Sequence, residues 1–260
     1  MKLNLVSKFA GLLVLTAVIA FSSCKKDASV NQSKDTPAAI AAKDATQDDA
    51  VAEAQYDEVF NITMGVQASD AGEDIGIGTG VDVIYQNRTN ADGTSAVQTP
   101  VPAPCFSISV VPNTRHVFPK TVTIDFGSGC MGRDGKLRKG KIISIYTGPM
   151  FIPGSKCSTT FEGYYVDSFK IEGKYSVENT STSNQKQWTV HVADGKIINT
   201  NISTWKLWSS IKTHTQVEGN GTPSYPLDDV FQITGSATGS SSNGNSWTAL
   251  ITEPLVKKIG

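Results

Sequence analysis

From residue 121 to its end the chain is written with a period of two. Val122, Ile124 and Phe126 alternate with Thr121, Thr123 and Asp125. Phe169, Ile171, Tyr175 and Val177 oppose Lys170, Glu172, Lys174, Ser176 and Glu178. Trp188, Val190 and Val192 oppose Thr189 and His191, and Ile211, Thr213, Thr215 and Val217 oppose Lys212, His214, Gln216 and Glu218. Phe231, Ile233 and then Trp247, Ala249 and Ile251 continue the series. One apolar and one polar face per segment means antiparallel sheet, wet on one side. Asp134-Gly135, Asp194-Gly195, Asn220-Gly221 and Asn243-Gly244 stand between these runs. Such pairs tolerate the positive φ that a two-residue hairpin turn requires, so neighbouring strands should pair in sequence order. The expected fold is all-β: a long antiparallel meander forming a curved sheet or open sandwich. Its greasy face needs a cover. No fixed repeat length is present, which argues against a solenoid.

The cover is expected from the segment before the strands. In DDAVAEAQYDEVFNITMGV, residues Val51, Ala54, Val59, Ile62 and Val66 recur at helical spacing. Acids gather at its N-terminal end, where the helix dipole favours them. One N-terminal amphipathic helix is expected from about residue 47, within 47–70, with its acids as a solvated face and cap. Residues 24–46 are polar and alanine-rich without an apolar period, and read as a tether. Residues 71–104 read as loop and linker, closing with the stiff TPVPAP at 99–104. The β domain is expected to occupy 105–260.

At the start, Lys2 and Lys8 precede an apolar run from Ala10 to Phe21, too short to span a bilayer, which takes about 20 residues. Ser22 and Ser23 then lead to Cys24. Residues 1–23 therefore read as a secretory signal and are set aside from the fold. The small pair followed by cysteine resembles bacterial lipoprotein signals, which implies lipidation of Cys24 and a membrane partner held through that lipid. Lys25, in place of an acid, implies sorting to the outer membrane of a diderm bacterium. The charged CKKD start is similar to the export tag of Bacteroidota surface lipoproteins, so the periplasmic face and the cell surface both stay open.

Three cysteines remain. Pairing Cys105 with Cys130 would staple the linker to the end of the TVTIDF strand, a closure worth roughly 3 kcal/mol in the chain-entropy model. Cys157 is then odd. The strand pattern is still running at SWTALITEPLVKKIG. Together these lead to the expectation of a further C-terminal piece carrying a partner for Cys157.

Chemistry is harder to find. The formal net charge of −1 lacks the basic footprint nucleic acid requires. Gly127-Ser128-Gly129 is no nucleophile elbow. HExxH and CxxC are absent, and no EF-hand pattern surrounds Asp125 or Asp134. No catalytic residue, metal or cofactor is assigned. His191 and His214 are expected to be solvated on polar strand faces. Arg133, Lys136, Arg138, Lys139 and Lys141 are expected to form a solvated basic rim around the Asp134-Gly135 turn. A hydrolase would need two converging acids from Glu162, Asp167, Glu172, Glu178, Asp228 and Asp229. The better binding lead is aromatic: Trp205, Trp208 and Tyr164 would stack on a glycan if they lay exposed, core packing being the competing role. Trp205 and Trp208 are three apart, so a strand sends them to opposite faces.

Three long runs, FPKTVTIDFGSGCMGRDGKLRKGKIISIYTG, FEGYYVDSFKIEGKYSVENT and DDVFQITGSATGSSSNGNSWTALITEPLV, resemble an uncharacterised family of Bacteroidota outer-membrane or surface lipoproteins. The resemblance covers roughly residues 48–260. It implies an envelope address and β architecture, and brings no catalytic residue. Members of that family continue past the PLV segment with further strands and cysteine. The sequence thus points to a lipid-anchored envelope protein, structural or binding in role, whose partner is a glycan or another envelope protein.

Overall fold

In the computed structural model, among the described residues, an open antiparallel sheet of eleven strands packs one face against a single helix. Residues 36–66, 73, 75–77, 105–222 and 228–259 are described. Cys24, the signal and most of the 71–104 linker lie outside them.

The helix, α1, runs from Pro37 to Met64. It starts well before residue 47, so part of the expected tether is helical. The cause is local. Thr36 Oγ1 accepts the Ala39 N–H at 3.2 Å, Pro37 occupies the first turn, and the alanines that follow are the best helix formers. This first stretch is mostly exposed, which is why it carries no apolar period. Further on, Ala52, Tyr56, Val59, Phe60 and Thr63 form the buried stripe. Of the expected stripe Val59, Ile62 and Val66 are buried, Val51 is half-buried and Ala54 faces solvent.

The strands are β1 (Ser107–Val111), β2 (Lys120–Asp125), β3 (Cys130–Met131), β4 (Leu137–Tyr146), β5 (Lys156–Val166) and β6 (Phe169–Asn179). They continue as β7 (Gln187–Asn199), β8 (Thr204–Glu218), β9 (Val230–Ser241), β10 (Ser246–Leu250) and β11 (Leu255–Lys258). The order across the sheet is β1-β2-β4-β5-β6-β7-β8-β9-β10, with β3 against β4 and β11 sharing the edge of β9. This is the expected meander. Bulges interrupt the pairing between β4 and β5, β5 and β6, β6 and β7, β7 and β8, and β8 and β9. Each bulge bends its strand and adds twist. The sheet can therefore reach α1 from many sides. Tyr146 on β4 donates to the Thr63 carbonyl at 2.7 Å, and the Tyr56 hydroxyl donates to the Glu172 carbonyl on β6 at 2.6 Å.

Asn243-Gly244 joins β9 to β10 and Asp134-Gly135 joins β3 to β4, but in loops longer than two residues, with positive φ at the glycines alone, 88° and 77°. Asp194-Gly195 does not turn. It is the bulge inside β7, with Asp194 at φ 53°. A Cβ on Gly195 would lie 2.5 Å from the Trp208 carbonyl oxygen and 2.6 Å from the Tyr56 hydroxyl. The same positive-φ demand serves a close approach to the helix, and the chain reverses instead between Asn199 and Thr204.

Most inward faces are the expected ones. Val122, Ile124, Phe126, Ile171, Tyr175, Val177, Trp188, Val190, Val192, Phe231 and Ile233 are all buried. Strand β8 is the exception. Trp208, Ser210, Lys212, His214 and Gln216 point inward, while Ile211 and Val217 point to solvent. Period two leaves a strand one binary choice of face. Here the choice is made by polar partners waiting inside. Cys105 and Cys130 form the expected disulfide, with a Cα–Cα distance of 5.3 Å. Cys157 is fully buried, its Sγ 3.6 Å from Thr159 Oγ1, and burial pushes its thiol pKa up to about 11. It packs as a small core side chain.

Candidate functional site

The most concentrated chemistry lies where the acids of α1 meet the sheet. Along β4, Leu137 and Lys139 point out and Arg138 points in. Arg138 is completely buried. Its Nε donates to Glu58 Oε1 at 2.8 Å, and its Nη1 and Nη2 form a two-pronged contact with Asp134 Oδ1 and Oδ2 at 2.9 and 2.6 Å. Lys136 Nζ takes the second Glu58 oxygen, and the buried Tyr164 hydroxyl donates to Glu58 Oε1 at 3.3 Å. Burial alone would raise the Asp134 pKa, but the Arg138 guanidinium outweighs it and holds this carboxyl below its usual range.

The expected basic rim is therefore divided. Arg138 is the centre of a buried network, and Lys136 reaches into it. Lys139 lies over the Tyr165 ring, 4.1 Å from its centroid, and Lys141 sits loosely between Asp125 and Glu162 at 3.9 and 3.7 Å. Arg133 is exposed. Extending the strand alternation through LRKGK would have placed Arg138 inside.

The acids expected on a solvated helix face also engage the sheet. Asp48 pairs with Lys206 at 3.1 Å, Glu53 with Lys212, and Asp57 with Lys257 at 2.7 Å. Asp49 Oδ1 accepts the indole N–H groups of Trp208 at 2.8 Å and Trp247 at 3.0 Å. These contacts hold the polar face of β8 inward. His214 stacks on Phe60 with centroids 4.5 Å apart. Burial pushes its pKa down to about 3, so it is a neutral imidazole at ordinary pH and not the solvated group expected.

Gln216 Nε2 donates to Asp229 Oδ1 at 2.6 Å. Burial and the neighbouring Asp228 raise the Asp229 pKa from 3.8 to about 7. The sign follows from linkage. The folded carboxyl holds its proton more tightly than the unfolded one, so its contribution is intact below the unfolded value and is lost as pH rises through about 7. Asp229→Asn keeps an acceptor for Gln216 and removes the charge. Thermal melts should show it raising Tm by several degrees at about pH 8 and by little at about pH 4, where ~1 kcal/mol corresponds to about 2–4 °C for a domain of this size.

A cavity of about 330 Å³ opens where the edge of β9 passes from β10 to β11, lined by Asp49, Glu53, Lys212, Leu250, Thr252 and Glu253 among others. Its Glu53 is tied to Lys212 and its Asp49 to the two indoles, so the cavity floor is braced by the same contacts that seat α1. Among the described residues no three His, Cys, Asp or Glu side chains gather for a metal ion.

The aromatic candidates are not brought together. Trp208 and Tyr164 are buried, the first stacked on Tyr56 at 5.4 Å and the second on Phe161 at 5.7 Å. Trp205 is 36% exposed on the opposite face of β8. Of the acids considered for hydrolysis, Asp228 and Asp229 are chain neighbours, and the other four are held apart by separate partners. Glu162, Glu172 and Glu178 pair with Lys141, Lys170 and Lys156, and Asp167 Oδ1 accepts the Leu137 N–H at 2.9 Å.

What sequence reasoning missed is the outer face of β8. Trp205, Leu207, Ile211 and Val217 line it, flanked by serines and threonines. The alternation in the sequence marked the apolar set at 211–217 but assigned it to the core. No known family model, curated protein or solved structure matches the chain.

Proposed function

We propose that the chain is a lipid-anchored protein of the cell envelope with a binding or structural role. The address is supported by Lys2, Lys8, the short apolar run and Ser22-Ser23-Cys24, and by the resemblance to Bacteroidota envelope lipoproteins. Lys25 favours the outer membrane. One acyl chain holds a protein only marginally, and more than one holds it stably.

The role is supported above all by what the interior charges do. Glu53, Asp57 and Glu58 each grip a sheet cation and so fasten α1 to the inner face. A sheet that fills its own inner side in this way keeps its outer surface for contacts. The carbohydrate-binding alternative needs a row of exposed rings. Burial of Trp208 and Tyr164 leaves Trp205 without companions from that set, and the outer strand is apolar instead.

Expression of the full chain in a diderm bacterium fed labelled palmitate tests the address. The label should enter the wild-type band in the membrane fraction and vanish from Cys24→Ala. An unlabelled wild-type protein whose mature N-terminus lies elsewhere would overturn the reading.

A further inference from the structure

We propose that two copies of this chain associate face to face through the outer surface of β7–β10, with β8 at the centre. The first ground is the inversion of β8. The strand hides Ser210, Lys212, His214 and Gln216 and shows Leu207 at 44%, Ile211 at 56% and Val217 at 39% exposure. Burying a large aliphatic side chain is a substantial stabilising contribution. An arrangement that sends these side chains outward therefore leaves unused apolar surface. Apolar side chains recur on the neighbouring strands. Ile198 on β7 lies opposite Trp205, and Leu250 on β10 lies across Ser236 from Ile211.

The second ground is charge. On β9, Thr234, Ser236, Thr238 and Ser240 register with Thr213, Ile211, Ser209 and Leu207. On β7, Thr189 faces Thr213, His191 faces Ile211, and Lys196 faces Leu207 on the flank. The fixed charges of this surface stand at its margins, Asp194 and Lys196 of opposite sign on the β7 flank and Glu218 at the end of β8, so its centre does not repel its own copy and offers little to a strongly charged partner.

The third ground is area. Strands β7, β8 and β9 of 13, 15 and 12 residues and the five-residue β10, about 4.8 Å apart and rising ~3.3 Å per residue, cover roughly 700 Å² per copy. A stable interface takes about 800 Å² per partner. Two sheet faces stack about 10 Å apart with their side chains interleaved, and the alternation of large apolar and small hydroxyl residues on β8 suits that geometry.

The test is sedimentation velocity of the purified full chain in detergent micelles, up to about 100 μM. Wild type should sediment as a dimer. Leu207→Glu with Ile211→Glu should weaken association at least about tenfold, as loss of central interface residues does. Ile145→Glu is the control, an exposed apolar side chain on β4 away from this surface. It should leave the dimer intact. Circular dichroism checks that each variant is folded. A second readout is Thr213→Cys, which should give a dimer-sized band on mild oxidation. A monomeric wild type at the highest concentration overturns the proposal. So does a dimer indifferent to the double substitution. Wild-type monomers that bind neutral phosphatidylcholine vesicles, and lose that binding with the double substitution, would assign the surface to the membrane instead.

Discussion

Arg138→Met should lower the unfolding free energy by about 3–5 kcal/mol, measured by urea denaturation at neutral pH. The side chain is fully buried and answers two carboxylates, Glu58 and Asp134. Removing one partner of a buried pair leaves the other charge uncompensated, and this is the costly operation. Lys136 still holds one Glu58 oxygen, so the loss should fall at the lower end of that range. Adding Glu58→Gln should restore part of the stability, because the stranded charge is then gone. If the double variant is as unstable as the sum of the two single variants, the pair is not coupled and the network as described is wrong.

Gly140→Ala should be at least as damaging, with more than about 3 kcal/mol lost and poor recovery of soluble protein. The residue has φ 82°, where any other L residue is strained. A Cβ there would also lie 1.9 Å from the Gly163 carbonyl oxygen. That neighbour is backbone, so β4 and β5 would have to separate at their bulge. Gly163→Ala is the comparison. It has φ 54° but meets nothing within 4 Å. It should therefore show only the backbone penalty, about 1–2 kcal/mol. Equal effects at the two positions would remove the steric part of the argument.

The fold was largely legible because period two and the Asx-Gly pairs are local signals with a direct physical meaning. The meander and the inward faces of β2, β6 and β7 follow from them, and the Cys105–Cys130 pairing follows from the position of each cysteine beside the TVTIDF strand. The rest was hidden for three separate reasons. The first stretch of α1 touches little, so it has no apolar period and is visible only through its Thr-Pro cap and alanines. Asp194-Gly195 asks for positive φ in a bulge as it would in a turn, and only the approach of Tyr56 distinguishes them. Lys212, His214 and Gln216 look like a wet face until Glu53, Phe60 and Asp229 are known to lie opposite. Pairing of distant polar residues has no signature in a single sequence. Arg138 was hidden in the same way, inside a run of basic residues that read as surface.

The seating of α1 also governs when this molecule can finish folding. Strand pairs such as β5–β6 need only a short turn and can form as each pair becomes available. The helix is the earliest element in the chain, yet Asp49 takes its donors from residues 159 and 198 positions later. Asp57 waits for Lys257, at the last strand. Contacts of such separation are slow to form, because the chain ends must be brought together before anything is gained. The acidic helix thus precedes every described strand and cannot complete its contacts until the last of them is made. Until β10 and β11 arrive, Asp57 lacks its cation and Asp49 one of its two donors, so the seating of α1 is completed only when the end of the β domain has been delivered.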